Sequence, residues 1–292
     1  MDQKYKTENL AEKIKRIKPK INSDLSNQNI ENNMNYNKYI KEYFKCENQN
    51  SKFKKEMEDI AYANINFIEN KNHSISLFAI FDGHNGKFVS EYLNENLPKI
   101  LYSQIEKNEY QIEKSINETF EEINKNLETI PNAKEIGSTA TIIIIDNNIL
   151  YCANVGDSQC YYITKDKIIQ MTKLHNCKNK EEIERVKKNK GLVFQNRVFG
   201  SLSLTRSIGD TYFKEFGVSG IPDITKEILS ENYSKFIILG SDGVWDVIKE
   251  SYLNEIEKEN DILNAKDFCE KIVSSSIQKG SKDNISCIVI KL

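Results

Sequence analysis

The sequence predicts an α+β domain in which antiparallel sheets are covered by helices. Two observations carry this. Strand-like runs in mid-chain are joined by turns too short for any but antiparallel neighbours, and helical patterns fall between groups of strands. Residues 1–37 are rich in Asn, Lys and Glu and poor in aromatic and branched side chains. They read as an extension without a core of its own, with one short charged helix over residues 8–18. From about Tyr39 the apolar content rises and stays high, so one domain is expected over residues 38–292.

Within it, Ala61–Phe67 and Ile75–Phe81 read as strands. Helical patterns follow over Lys87–Leu101 and Ile112–Leu127, both with apolar residues on one face. "STATIIIIDNNILYCANVGDSQCYYITKDKIIQMT" reads as successive strands turning at Asp146-Asn147-Asn148 and at Lys165-Asp166-Lys167. "NKEEIERVKKNKG" is a short helix ending at Gly191. Strands return at Phe236–Leu239 and Ile285–Ile290, with the helical "AKDFCEKIVSSSIQKG" between them.

Composition narrows the function. Of 292 residues 39% are hydrophobic and 29% charged, as in ordinary globular proteins. Lys and Arg (41) nearly balance Asp and Glu (43), which disfavours a nucleic-acid or anionic-membrane binder. No apolar run approaches the roughly 18 residues needed to cross a bilayer, the N-terminus lacks a signal-peptide core, and Asp2 rules out myristoylation of a Gly. Six scattered cysteines without a C-x-x-C pair argue against zinc and a disulfide framework and suit a reducing compartment. A monomeric cytoplasmic or nuclear protein is the expectation.

Against this ordinary background the acidic residues stand out. "FAIFDGHNG" ends an apolar strand on Asp82, where a carboxylate is costly unless neutralised. "FIILGSDGVWD" places Asp242 just past another apolar run and Asp246 four residues on. "GSKDNISCIVI" sets Asp283 before the last strand, "ANVGDSQCYYI" sets Asp157 in a turn, and "KEMEDIAYA" sets Glu58 and Asp59 before a strand. Any one of these is ordinary strand punctuation. If the strands share a sheet, however, the carboxylates meet at one end, and such a cluster calls for protons or bound cations. All-oxygen ligation favours Mg²⁺ or Mn²⁺, and Gly83 allows close approach to a main-chain carbonyl. Two such ions activate water for in-line attack on a phosphate ester, with His84 placed to give a proton to the leaving oxygen. The residues alone thus indicate a binuclear hard-metal hydrolase, with the ester left open.

In this order, "KKEMEDI" (54–60), "FAIFDGHNG" (78–86), "GSTATIII" (137–144), "ANVGDSQCYYI" (153–163), "RVFGSLSLTRSIGD" (197–210), "LGSDGVWDVI" (239–248) and "GSKDNISCIVI" (280–290) resemble the metal-dependent serine/threonine phosphatases of type 2C, the PPM family. The resemblance implies a central antiparallel β-sandwich flanked by helices on both faces. It also implies hydrolysis of phosphoserine and phosphothreonine in protein substrates by a metal-bridging hydroxide. By position, Asp82 would bridge two metals and Gly83 would offer its carbonyl to the first. Asp242 and Asp283 would hold the second, with Glu58 acting through a metal-bound water. Asp157, Asp242 and Asp246 would form a weaker third site, and His84 would be the general acid.

Three departures qualify the match. Lys54 stands where the family has an Arg gripping the substrate phosphate, and a Lys is a point charge where an Arg is a bidentate fork. A working but weaker enzyme is expected, with a phosphatase-like scaffold that binds phosphoproteins as the alternative. A two-metal nuclease fits the acids but not the charge balance. Leu174 and Cys177 replace a family Asp and Pro around His175, so His175 is expected to pack or cap a turn. The segment between Asp210 and Pro222 is short, so a small flap is expected, with Arg206 and Asp210 as an internal ion pair.

Overall fold

A computed structural model describes residues 37–259 and 264–292. The expectations for residues 1–36 therefore lie outside the described residues. Asn37 lies within them, and its buried side-chain amide donates to the carbonyl oxygens of Ser74 and Asn147.

The chain runs β1 (Glu42–Asn48), β2 (Ile60–Glu69), β3 (Ser74–Phe81), a two-residue β4 (Gly83–His84), α1 (Phe88–Lys107) and α2 (Ile112–Glu128). There follow β5 (Gly137–Ser138), β6 (Ala140–Asp146), β7 (Ile149–Val155), β8 (Gln159–Thr164), β9 (Ile168–Gln170) and α3 (Lys180–Lys188). The short β10 (Val193–Phe194), β11 (Arg197–Val198), β12 (Ile208–Gly209) and α4 (Thr211–Lys214) come next. The chain closes with β13 (Asp223–Ile228), β14 (Ser234–Gly240), α5 (Asp242–Trp245), α6 (Glu250–Glu259), α7 (Ala265–Gln278) and β15 (Ile285–Lys291).

Two five-stranded sheets, ordered β1-β15-β14-β8-β9 and β13-β7-β6-β3-β2, are antiparallel throughout. They pack face to face. Phe78 and Ile80 of β3 and Ile143 and Ile145 of β6 meet Tyr162 of β8, Ile237 and Leu239 of β14 and Ile288 and Ile290 of β15 in one buried cluster. The alternate side chains of β3, Leu77, Ala79 and Phe81, turn the other way and pack under Leu93, Leu97 and Leu101 of α1 and Ile116 and Phe120 of α2. On the opposite outer face, Ile238 and Val289 pack under Phe268 and Ile272 of α7 and Leu253 of α6. Strands buried on both faces carry unbroken apolar runs, which is why β3 and β6 lack polar alternation. Each fully buried Ile, Leu or Phe contributes about 1.5–3 kcal/mol, and these runs supply most of the core.

The expected sandwich, its covering helices and both tight turns are present. Edge strands β1 and β13 lie outside the strand expectations. Among the described residues no helix is long and apolar enough to cross a membrane.

Candidate metal centre and active site

Antiparallel register decides where the acids go. Ile60 of β2 pairs with Phe81 of β3, so Asp59 and Asp82, one residue beyond each, leave the sheet at the same end. Gly240 of β14 pairs with both Cys287 of β15 and Gln159 of β8. Asp242, Asp283 and Asp157 therefore also emerge at matching strand ends. The Asp242 amide donates to Asp82 Oδ2 at 3.4 Å, which ties the two sheets together at this rim.

Close quarters show in the carboxyls' acidity. Burial, then the charges of Asp59, Asp242, Asp157 and Asp283, push Asp82 well above the usual carboxylate range. Burial and then Asp157, Asp283, Asp246 and Asp59 do the same to Asp242. Burial followed by the Asp246 charge raises Asp157 to about 6. Asp59 also rises to about 6, chiefly through burial, despite nearby hydroxyls of Ser241 and Ser286 that pull it back. Its Oδ2 is buried with no hydrogen-bond partner.

The scaffold around these acids is tightly specified. Asn284 donates to the carbonyls of Gln49 and Glu56 and accepts from the Glu58 amide at 2.9 Å. Asn50 donates to the carbonyls of Ser281 and Asp283. A Cβ at Gly243 would overlap the Asn284 carbonyl, so only glycine lets α5 seat against the strand carrying Asp283. Trp245 packs with this cluster and donates from Nε1 to Gly240 O at 2.8 Å. Glu58 accepts from the Gly86 amide at 2.5 Å, and a Cβ at Gly83 would come within 2.6 Å of the Glu58 carbonyl.

Lys54, expected to face the substrate phosphate, forms an ion pair with Asp283 Oδ1. Burial lowers its ammonium's acidity range, but Asp283, Glu58 and Asp82 outweigh burial and leave it above the ordinary lysine value. His84 Nε2 lies 2.7 Å from Asp210 Oδ2.

Here one expectation fails. Arg206 does not pair with Asp210. Its guanidinium binds Glu182 (2.8 Å) and Asp223 (2.8 Å), while Asp210 turns to His84. The backbone explains the exchange: Gly209 (φ +74°) and Asp210 (φ 47°) are both left-handed, and this sharp turn swings the Asp210 carboxylate away from Arg206. His175 packs as expected. It is fully buried, its Nδ1 accepts from the Gly156 amide (3.2 Å), and Nε2 lies 3.2 Å from Asp223 Oδ2. Asp59 was visible in the sequence beside Glu58 but carried no assigned role. The alternation of an extended chain puts Asp59, not Glu58, on the buried side.

The donor set fits hard divalent cations. It is all oxygen, several half-buried carboxyls crowd one another around the buried Asp59, and Lys54 is a nearby cation rather than one per acid. Among the described residues no three His, Cys, Asp or Glu side chains close into a ready-made cage. Bare carboxylates repel one another, and a hard cation takes part of its shell from water.

The family model described as "Protein phosphatase 2C" matches residues 45–285. The chain is 29% identical over 253 residues to "Protein phosphatase 2C homolog 1" of Schizosaccharomyces pombe, covering 84% of this chain and 72% of that protein. It is 32% identical over 269 residues to the protein of the same description in Saccharomyces cerevisiae, covering 85% and 92%. A solved structure described as serine-threonine phosphatase 2C from Toxoplasma gondii superposes with a TM-score of 0.73 at 18% identity. It covers 85% of this chain and 94% of that one, and it shares the fold.

Proposed function

The chain belongs to the protein phosphatase 2C family of serine/threonine protein phosphatases, and from that premise we infer how this copy works and what it needs. Divalent metal dependence is general to the family. The ions proposed here are Mg²⁺ or Mn²⁺, two at the centre and a weaker third. Asp82, the Gly83 carbonyl, Asp242 and Asp283 would hold the pair, with Glu58 and Asp59 supporting from the β2 end. Asp157 and Asp246 would share the third with Asp242. When bound, such ions supply an activated water and neutralise the phosphate.

The chain's own groups do the rest. Lys54, paired with Asp283, would offer a cation to the ester oxygens. His84 gives a proton to the serine or threonine oxygen as the P–O bond breaks, so an alcohol leaves rather than an alkoxide. The observation that carries this reading is the convergence of Asp59, Asp82, Asp157, Asp242 and Asp283 at one rim of the sandwich, set by strand register, with Asp59 buried and Asp82, Asp157 and Asp242 half-buried and raised by desolvation and by one another's charges. Lys54 paired to Asp283 favours a second reading, a weakly active protein that chiefly holds phosphoproteins.

Dephosphorylation of a phosphothreonine peptide separates the two readings. Activity that requires Mn²⁺ or Mg²⁺, stops with EDTA and is lost in Asp82→Asn and Asp242→Asn supports the enzyme. Turnover surviving both treatments defeats the mechanism, and tight peptide binding without turnover supports the scaffold. A monomer acting in the cytoplasm or nucleus on phosphoproteins, with no nucleic-acid or membrane partner, completes the proposal. The even balance of basic and acidic residues supports the lack of a nucleic-acid partner.

A further inference from the structure

We propose that Asp210 is the positioning residue for His84, orienting the imidazole so that Nδ1 is the nitrogen presented to the leaving oxygen. The inference rests on the reading of His84 as the acid in this enzyme. The contact itself is short and enclosed: His84 Nε2 lies 2.7 Å from Asp210 Oδ2, and the Asp210 side chain is wholly buried. Since Nε2 is taken, Nδ1 is the nitrogen left for chemistry.

Three further features show a built arrangement rather than a chance contact. First, the two residues arrive on paired strands. His84 of β4 pairs with Gly137 of β5, and Gly137 also pairs with Gly209 of β12, next to Asp210. Second, Gly137 is the floor under the pair. A Cβ there would overlap both Asp210 Oδ2 and His84 Nε2, so the glycine is what lets carboxylate and ring meet. Third, Asp210 is held in a costly state. It is a non-glycine residue in the left-handed region, anchored by its amide to the Ile136 carbonyl at 3.1 Å, and its Oδ1 is buried without a hydrogen-bond partner. Strained backbone and unmatched buried oxygens collect where geometry serves function. Arg206 is already satisfied by Glu182 and Asp223, and the Lys214 ammonium, which feels the Asp210 charge, donates its hydrogen bond to the Ser207 carbonyl.

The role predicts dependence on the leaving group. A serine or threonine alkoxide needs a proton as P–O cleaves, whereas nitrophenolate departs without one. A carboxylate that merely props the flap would affect both esters alike.

The test compares a phosphothreonine peptide with p-nitrophenyl phosphate on the Mg²⁺-loaded full chain. Asp210→Asn is expected to lower kcat on the peptide by about tenfold to hundredfold with KM little changed, and on the aryl ester by under about threefold. His84→Ala should show the same selectivity, and the double variant should lose nothing more. Equal losses on both esters in Asp210→Asn, or multiplied losses in the double variant, overturn the proposal. Selectivity in His84→Ala without selectivity in Asp210→Asn removes this inference and leaves the acid reading standing. No selectivity in His84→Ala removes both. Should Asp210→Asn fold poorly, Asp210→Glu keeps the charge but displaces the carboxylate and must show the same selectivity. Imidazole ¹⁵N spectra give an independent readout: in the neutral ring of the parent the His84 proton should sit on Nε2, leaving Nδ1 to take up the second proton that it passes to the leaving oxygen, and that proton should redistribute between the two nitrogens in Asp210→Asn and Asp210→Glu. An unchanged spectrum overturns the proposal.

Discussion

Replacing Asp59 with Asn should make the metal-free protein more stable, although it removes a residue of the candidate metal centre. Asp59 is 3% exposed, its Oδ2 lacks a partner, and burial together with the Asp283 charge raises its carboxyl from 3.8 to about 6. Between those values the folded chain holds a proton that the unfolded chain has released. Unfolding free energy therefore falls as pH rises from about 4 to about 6 and levels off above, where folding must bury an ionised carboxylate. At about 1.4 kcal/mol per pH unit the gap corresponds to about 3 kcal/mol. Asn is isosteric and uncharged, so urea denaturation in EDTA at pH 7.5 should show Asp59→Asn more stable than the parent by about 1–3 kcal/mol. At pH 4 the difference should vanish, because the parent carboxyl is then protonated when folded. Mn²⁺ should stabilise the parent more than the variant at pH 7.5. A variant no more stable than the parent at pH 7.5, or stabilised equally at pH 4, would refute the claim that these acids are held against their own repulsion.

Other outcomes follow from particular contacts. Lys54→Arg should lower KM for a phosphopeptide by up to about tenfold, since a fork can hold Asp283 and reach a phosphate oxygen together; steady-state kinetics with an unchanged or higher KM contradicts this. Although burial opposes it, Arg185 and Arg206 hold the Glu182 carboxyl down at about 2 from 4.5. Its stabilisation is thus present above about pH 4.5 and lost as pH falls through 2, and at neutral pH Glu182→Gln should cost about 3 kcal/mol in a chemical melt. Gly137→Ala should abolish peptide turnover, because its methyl would occupy the place where His84 and Asp210 meet; near-parental kcat would show that the contact is dispensable. Asp242→Asn should lose Mn²⁺ affinity as measured by calorimetry, and parental affinity would remove Asp242 from the centre.

Much of this was legible in the chain itself. Unbroken apolar runs such as Phe78–Phe81 and Ile142–Ile145 marked strands buried on both faces, and three-residue turns forced their antiparallel order. Acids at run ends marked the rim where the carboxyls converge, and the ordered motifs pointed to the family. Edge strands β1 and β13 were illegible because "EYFKCEN" and "DITKEI" mix polar and apolar residues, and only pairing with β15 and β7 makes them strands. Which partner each charged group took was also hidden. Arg206 and Asp210 are four residues apart and of opposite charge, yet two successive left-handed residues send them to Glu182 and His84, contacts of sequence separation 24 and 126. Likewise, Glu58 and Asp59 are neighbours in the chain, and the direction each side chain leaves the strand decides which one is buried. Periodicity and residue type are local properties, so they can be read along the chain. Pairing of distant ionic groups depends on strand register and on a few backbone turns, and these exist only once the sheets have assembled.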